Sequence, residues 1–234
     1  MMKVFQTLSG DLLSLFFPHL CLACCRQNAP ARELLCLSCQ LKLPCTHFHQ
    51  EAENDFTQRF WGRVPISSGA ALYHFIKGGR AQKLIHQLKY AGKQRVGREL
   101  GRHYGRQLSQ SPHFEGVELI VPVPLQPRKR HSRGFNQSAC FAAGLSESMG
   151  VPWREEVLIR NSYTVTQTKK SRLERMENVL NAFQLARPEL VRNRHVLLVD
   201  DVLTTGATLE ACGGCLLKAE KVKLSMATIG IAQI

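Results

Sequence analysis

The sequence predicts an α/β fold: a mainly parallel sheet with helices on both faces, preceded by a small cysteine-rich segment. Three observations lead there. Residues 65–234 alternate strand-like and helix-like stretches. Val196 to Val199 is an unbroken apolar run, as expected of a central parallel strand covered on both faces. Upstream, six of the nine cysteines crowd between Cys21 and Cys45.

Three regions follow. Residues 1–17 place Phe5, Leu8, Leu12, Leu15 and Phe16 at helical spacing, which predicts a short amphipathic helix. The apolar stretch Leu12 to Leu22 is broken by Pro18 and His19. It falls short of the roughly 20 apolar residues a membrane span needs. With no secretory signal recognisable, the chain is expected to be cytoplasmic, with reduced cysteines and no membrane span. Residues 18–64 form the cysteine-rich segment, punctuated by Pro30 and Pro44. Residues 65–234 form the α/β domain.

Within that domain Ile66 to Phe75 reads as a strand, and Leu84, Ile85 and Leu88, then Val96, Leu100 and Tyr104, mark helical faces. Leu119 to Val123 is a short strand, Asn136 to Met149 a helix, and Tyr163 to Arg172 a polar loop without periodicity. Thr208 to Ala219 reads as a helix and Lys223 to Ile231 as a closing strand.

Clustered cysteines in a reducing compartment bind metal. Cys21-x-x-Cys24 and Cys36-x-x-Cys39 are two knuckles with eleven residues between them, a spacing that suits a tetrahedral structural Zn²⁺ held by four thiolates. A closed site of this kind leaves no open coordination position, so it serves folding or docking rather than catalysis. Cys25 directly follows Cys24 and is an alternative ligand; Cys45, with His47 and His49, is a poor basis for a second site.

The most informative stretch runs from Val196 to Leu209. A buried strand delivers Asp200 and Asp201 to its carboxyl end, the edge at which open α/β sheets bind ligands. Thr204, Thr205, Gly206, Ala207 and Thr208 then form a small-residue turn into a helix, where free N–H groups and the helix dipole make an anion site. Gly206 lets the backbone approach a phosphate closely. Two carboxylates accept from vicinal hydroxyls while the adjacent loop donates to a phosphate, and a ribose 5-phosphate presents both. No Walker loop and no dinucleotide-type glycine motif occurs.

A second stretch, Val121 to Gln137, ends a strand in Pro122 and Pro124. It then sets Arg128, Lys129, Arg130 and Arg133 within six residues, before a helix that begins near Asn136. Prolines stiffen this loop, and arginine forks suit pyrophosphate or a nucleic-acid backbone. The formal charge of +13 also calls for an anionic partner. Phe48, Phe56, Phe60 and Trp61 are scattered and form no clear stacking platform for single-stranded nucleic acid.

Asp200-Asp201-Val202-Leu203-Thr204-Thr205-Gly206-Ala207-Thr208 resembles the 5-phosphoribosyl-pyrophosphate signature of type I phosphoribosyltransferases. With Pro122-Val123-Pro124 and Arg133-Gly134-Phe135-Asn136-Gln137, the chain resembles the ComF/GntX family, amidophosphoribosyltransferase-like proteins linked to DNA uptake and utilisation. Ile85-His86-Gln87-Leu88-Lys89-Tyr90 resembles that family's Lys-bearing helix, and Gln167, Arg175, Asn178, Ala182 and Phe183 resemble a further stretch. The resemblance implies a type I phosphoribosyltransferase-like sheet and a zinc knuckle. It implies Asp200 and Asp201 on the ribose hydroxyls, Thr204 to Thr208 on the 5-phosphate, and Arg128, Lys129, Arg130 and Arg133 on a pyrophosphate accompanied by Mg²⁺. Two alternatives stand beside an enzyme: a single-stranded DNA-binding accessory to DNA-uptake proteins, and a regulator that senses the phosphoribosyl ligand.

Overall fold

A computed structural model describes residues 20–26, 28–30, 33–90, 93–161 and 182–233. The expected amphipathic helix over 1–17, and the polar loop from Tyr163 to Arg172 with Gln167, Arg175 and Asn178, lie outside the described residues.

The sheet has four strands: β1 (Ser68–Phe75), β2 (Leu119–Pro122), β5 (His195–Leu203) and β6 (Lys223–Ala232), in the order β1-β6-β5-β2. Every pairing is parallel, with Ala71 opposite Thr228, Val199 opposite Ala227 and Pro122 opposite Val199. Parallel neighbours need crossovers. The helices α3 (Arg80–Tyr90) and α4 (Gln94–Leu108) link β1 to β2, and α7 (Ala207–Leu216) links β5 to β6. Val196, Leu197, Leu198 and Val199 are all fully buried, so both faces of the central strand are covered.

Helix α3 buries Ala81, Leu84, Ile85 and Leu88, and α4 buries Val96, Leu100, Tyr104 and Leu108, each a stripe at helical spacing. Helix α6 (Gln137–Met149) packs along α4 at backbone contact. A methyl group on Gly144 would lie 2.0 Å from the Arg98 carbonyl oxygen, and one on Gly101 would lie 2.3 Å from that of Phe141. Only residues without a side chain allow this approach.

The segment before β1 holds the short helices α1 (Leu37–Lys42) and α2 (Asp55–Gln58). Asn54 caps α2, accepting from the Phe56 and Thr57 amides, and its own amide donates to the Gly69 carbonyl of β1 at 3.0 Å. Phe48, Phe56 and Phe60 are buried in the core that the sheet shares, so packing accounts for them; Trp61 is exposed. Pro44 to Thr46 runs beside β1: the His74 amide donates to the Pro44 carbonyl at 2.8 Å and the Thr46 amide to the Leu72 carbonyl at 3.2 Å. At the opposite edge, Pro152 to Arg154 does the same for β2, with Ile120 donating to Pro152 and accepting from Arg154. A small antiparallel pair, β3 (Leu158–Arg160) with β4 (Phe183–Leu185), completes the fold.

One local expectation changes. The Pro-Arg stretch is not a loop throughout: Pro127–Arg133 forms a helix, α5, with Pro127 in its first turn and Gly134 closing it. Proline is tolerated there because a first-turn N–H has no helical partner in any case. Strand β5 carries both aspartates and runs on to Leu203, so the carboxylates stand in the final stretch of the strand, toward its carboxyl end.

Candidate functional site

Four parallel strands end at one edge, and the acidic pair stands there on β5. Asp200 and Asp201 are consecutive, so the pleat sends their side chains to opposite sides. Asp200 turns toward α6, where Ser138 donates its hydroxyl to Asp200 Oδ1 at 2.8 Å; the Asp201 amide donates to the same oxygen at 2.8 Å. Asp201 turns toward α3 and meets Lys89, Nζ to Oδ2 at 2.7 Å. Desolvation, then the neighbouring Asp201 charge, raise the Asp200 carboxyl to about 7, against the opposing hydrogen bonds and Lys89.

Helix α6 is anchored for this purpose. Asn136 caps it by accepting from the Ser138 amide and donates to the Val123 carbonyl at 3.0 Å, which ties the helix start to the end of β2. The Arg-Gly-Phe-Asn-Gln string therefore places Ser138 on the acidic strand. Gln137 accepts from Arg133 at 3.0 Å, while its Nε2 is buried with no hydrogen-bond partner among the described residues.

The predicted phosphate loop follows β5 directly. Gly206 holds φ at +83°, a left-handed conformation that only glycine adopts without strain, and forms the N-cap of α7. Thr204 and Thr205 are exposed, Gly206 is buried, and Ala207 and Thr208 are half-buried. Outside the sheet, Arg59 donates to the Thr204 carbonyl at 2.6 Å and also to that of Ala232. Arg63 donates to the Thr205 carbonyl at 3.1 Å and pairs with Glu210.

The structure thus joins Asp200, Asp201 and the Thr204–Thr208 turn, and adds Lys89, Ser138, Arg59 and Arg63. The cations of α5 are differently disposed. Arg128 and Lys129 are exposed, Arg130 lies 3.3 Å from Glu155, and Arg133 engages Gln137. The family-like stretch around Lys89 was the one available signal for that residue. Arg59 and Arg63 had none, because they reach the loop across about 145 residues of chain.

The sulfurs of Cys21, Cys24, Cys36 and Cys39 all lie within 4.8 Å of one another, and those of Cys24 and Cys36 are 4.0 Å apart. Tetrahedral Zn–S bonds of about 2.3 Å place sulfurs about 3.8 Å apart, so the cluster is compatible with a structural zinc. Burial, and then hydrogen bonding among the neighbouring thiols, push Cys39 up to about 12. Cys25 is exposed and lies outside the cluster. Among the described residues Cys45, His47 and His49 form no second group of this kind, and no helix is long and apolar enough to cross a membrane.

A parallel sheet with an acidic strand end and a small-residue turn at its carboxyl edge defines a type I phosphoribosyltransferase fold, and residues 136–233 match the family described as phosphoribosyl transferase domain. The chain is 32% identical over 198 residues to the DNA utilization protein YhgH of Escherichia coli O157:H7, covering 83% of this chain and 82% of that protein. It is 30% identical over 213 residues to competence protein F of Haemophilus influenzae, covering 83% of this chain and 89% of that one. The chain belongs to this family of DNA utilization and competence proteins, the ComF/GntX family. Among solved structures, a glutamine phosphoribosylpyrophosphate amidotransferase from B. subtilis overlaps at a TM-score of 0.40 and 20% identity, over 56% of this chain and 26% of that one.

Proposed function

We propose that the chain binds a ribose 5-phosphate ligand, 5-phosphoribosyl-pyrophosphate or a nucleotide, at the carboxyl edge of the sheet, and that it serves DNA uptake or utilisation in the cytoplasm. The observation that carries this is the continuity of β5 with its turn: Asp200, Asp201 and Thr204 to Thr208 occupy one strand end, with the carboxylates oriented by Ser138 and Lys89. Asp200 and Asp201 accept from the ribose hydroxyls; Thr204, Thr205, Gly206, Ala207 and Thr208 donate to the 5-phosphate.

Transfer of the phosphoribosyl group is the chemistry that suits such a site. No covalent nucleophile is assigned, and the rate would come from orientation and from cations on the departing pyrophosphate. Arg128, Lys129, Arg130 and Arg133 are assigned to that end of the ligand. Mg²⁺ bound to the pyrophosphate would supply further charge neutralisation. We assign residues 18–64 to a zinc-held segment seated on a phosphoribosyltransferase-like domain of residues 65–234.

The test is calorimetric titration of the zinc-loaded protein with 5-phosphoribosyl-pyrophosphate and Mg²⁺, beside an Asp200→Ala/Asp201→Ala variant. Binding by the wild type and a loss of at least about tenfold, ~1.4 kcal/mol, in the variant is expected. Absence of binding in both would remove this function.

A DNA-binding role is favoured by a separate feature. A groove of about 680 Å³ between α4 and α6 is lined by Arg95, Arg98, Arg102 and Arg130, with Phe135 and Trp153. Glu99 and Glu155 line it too, and Glu99, Glu147 and Glu155 pair with these arginines, so a single strand would engage a basic groove whose cations are shared with carboxylates. Binding of labelled single-stranded DNA that falls steeply with salt and is weakened by Arg95→Glu, but not by the aspartate variant, would establish it.

A further inference from the structure

The geometry points to Arg59 and Arg63 as positioning residues that turn the amides of the phosphate loop toward the ligand, a role that rests on the proposed use of Thr204 to Thr208 as a 5-phosphate cradle. No peptide bond among the described residues is cis. In a trans peptide the carbonyl and the following N–H point in opposite directions. Arg59 sits on the carbonyl of Thr204, at 2.6 Å, so the Thr205 N–H is directed away from it. Arg63 sits on the carbonyl of Thr205, at 3.1 Å, so the Gly206 N–H is likewise directed away. The same short segment presses Phe60 against the loop: a methyl group on Gly206 would lie 3.3 Å from the ring. The two guanidinium groups therefore hold two consecutive carbonyls, and the N–H groups that follow those carbonyls face the other way.

The struts are themselves fixed. Arg59 also donates to the Ala232 carbonyl at the end of β6, which ties the turn to the sheet. Arg63 donates to the Arg59 carbonyl at 2.9 Å, and its Nε to Glu210 of α7 at 3.1 Å. An anion site whose donors are already aligned loses less free energy on binding than one that must order a glycine-containing turn. A planar fork that spans two carbonyls does this; an ammonium group does not.

Fork and charge are separable by experiment. The full-length, zinc-loaded, ¹⁵N-labelled protein is titrated with inorganic phosphate and with ribose 5-phosphate, as wild type and as Arg59→Ala, Arg59→Lys, Arg63→Ala and Arg63→Lys. The Thr205 and Gly206 amide signals are expected to shift on phosphate addition, and both lysine variants to lose about tenfold in affinity for ribose 5-phosphate, nearly as much as the alanines. Lysine variants that bind like the wild type would reduce the arginines to a source of positive field and overturn the positioning role. Alanine variants that bind like the wild type would overturn it while leaving the cradle in place. If the wild type binds neither probe, the cradle itself is lost and the role with it. Should the variants fail to fold, the wild-type amides decide: phosphate binding without movement of Thr205 and Gly206 overturns the role.

Discussion

At the scale of single residues, the two aspartates are neighbours in sequence with different surroundings. Asp201 is matched by Lys89, whereas Asp200 is desolvated beside a like charge and holds its proton up to about 7. An acid whose folded pKa lies above its unfolded value binds a proton that the unfolded chain has released. Its contribution to stability is full below the unfolded value near 3.8 and is lost as pH rises through about 7. Asp200→Asn should therefore gain stability relative to the wild type between pH 5 and pH 8, as read by urea unfolding at about those two pH values. A wild type and variant with parallel stability curves across this range would contradict the assignment. Hydroxyl recognition needs the carboxylate, so wild-type affinity for ribose 5-phosphate should rise across the same interval.

The acidic pair and the small-residue turn proposed to hold a phosphate could be picked out because all their parts lie within one stretch from Asp200 to Thr208. Lys89, Ser138, Arg59 and Arg63 arrive from three other elements, and nothing in their local sequence states which strand end they meet. Residue type and spacing report chemistry carried by one segment, and they do not report chemistry assembled by the fold.

At the scale of elements, the strands and long helices were visible in apolar runs and helical stripes, since burial alternates or repeats with the backbone period. Helix α5 was not, because it buries none of its residues and opens on a proline between polar neighbours. The packing of α4 on α6 was equally silent. Glycine weakens a helix on its own, yet these glycines are what permits the two backbones to touch. Gly144→Ala would set a methyl group 2.0 Å from the Arg98 carbonyl and 2.9 Å from the Arg102 nitrogen, both backbone atoms. The variant should lose about 1–3 kcal/mol in chemical denaturation, the usual cost of overpacking. Because α6 also carries Ser138, the same change should weaken ligand binding; unaltered stability would show that the helices slide apart freely.

At the scale of the whole molecule, the cysteine segment and the sheet share one core: Cys21, Cys36 and Cys39 are buried in the same hydrophobic cluster as Leu35, Leu43 and the residues of the strands. Metal binding there is therefore linked to the stability of the larger unit. Metal analysis should find one zinc per chain. Cys39→Ser, or chelation, should lower the melting temperature and open the amides around residues 21–43 to hydrogen exchange. A protein that melts identically with and without chelator would rule out a structural metal.

Both outer strands of the sheet are occupied along part of their length, β1 by Pro44 to Thr46 and β2 by Pro152 to Arg154. An uncovered edge strand is a template on which another chain can add itself. Solubility of the sheet is thus bound up with a segment that contributes no strand of its own. A truncation starting at Pro65 keeps the six strands of the described residues but strips the cover from β1. Its expected behaviour is self-association through that edge, seen in light scattering as concentration-dependent oligomers, and it should be relieved by a charged substitution on β1 that blocks edge-to-edge pairing.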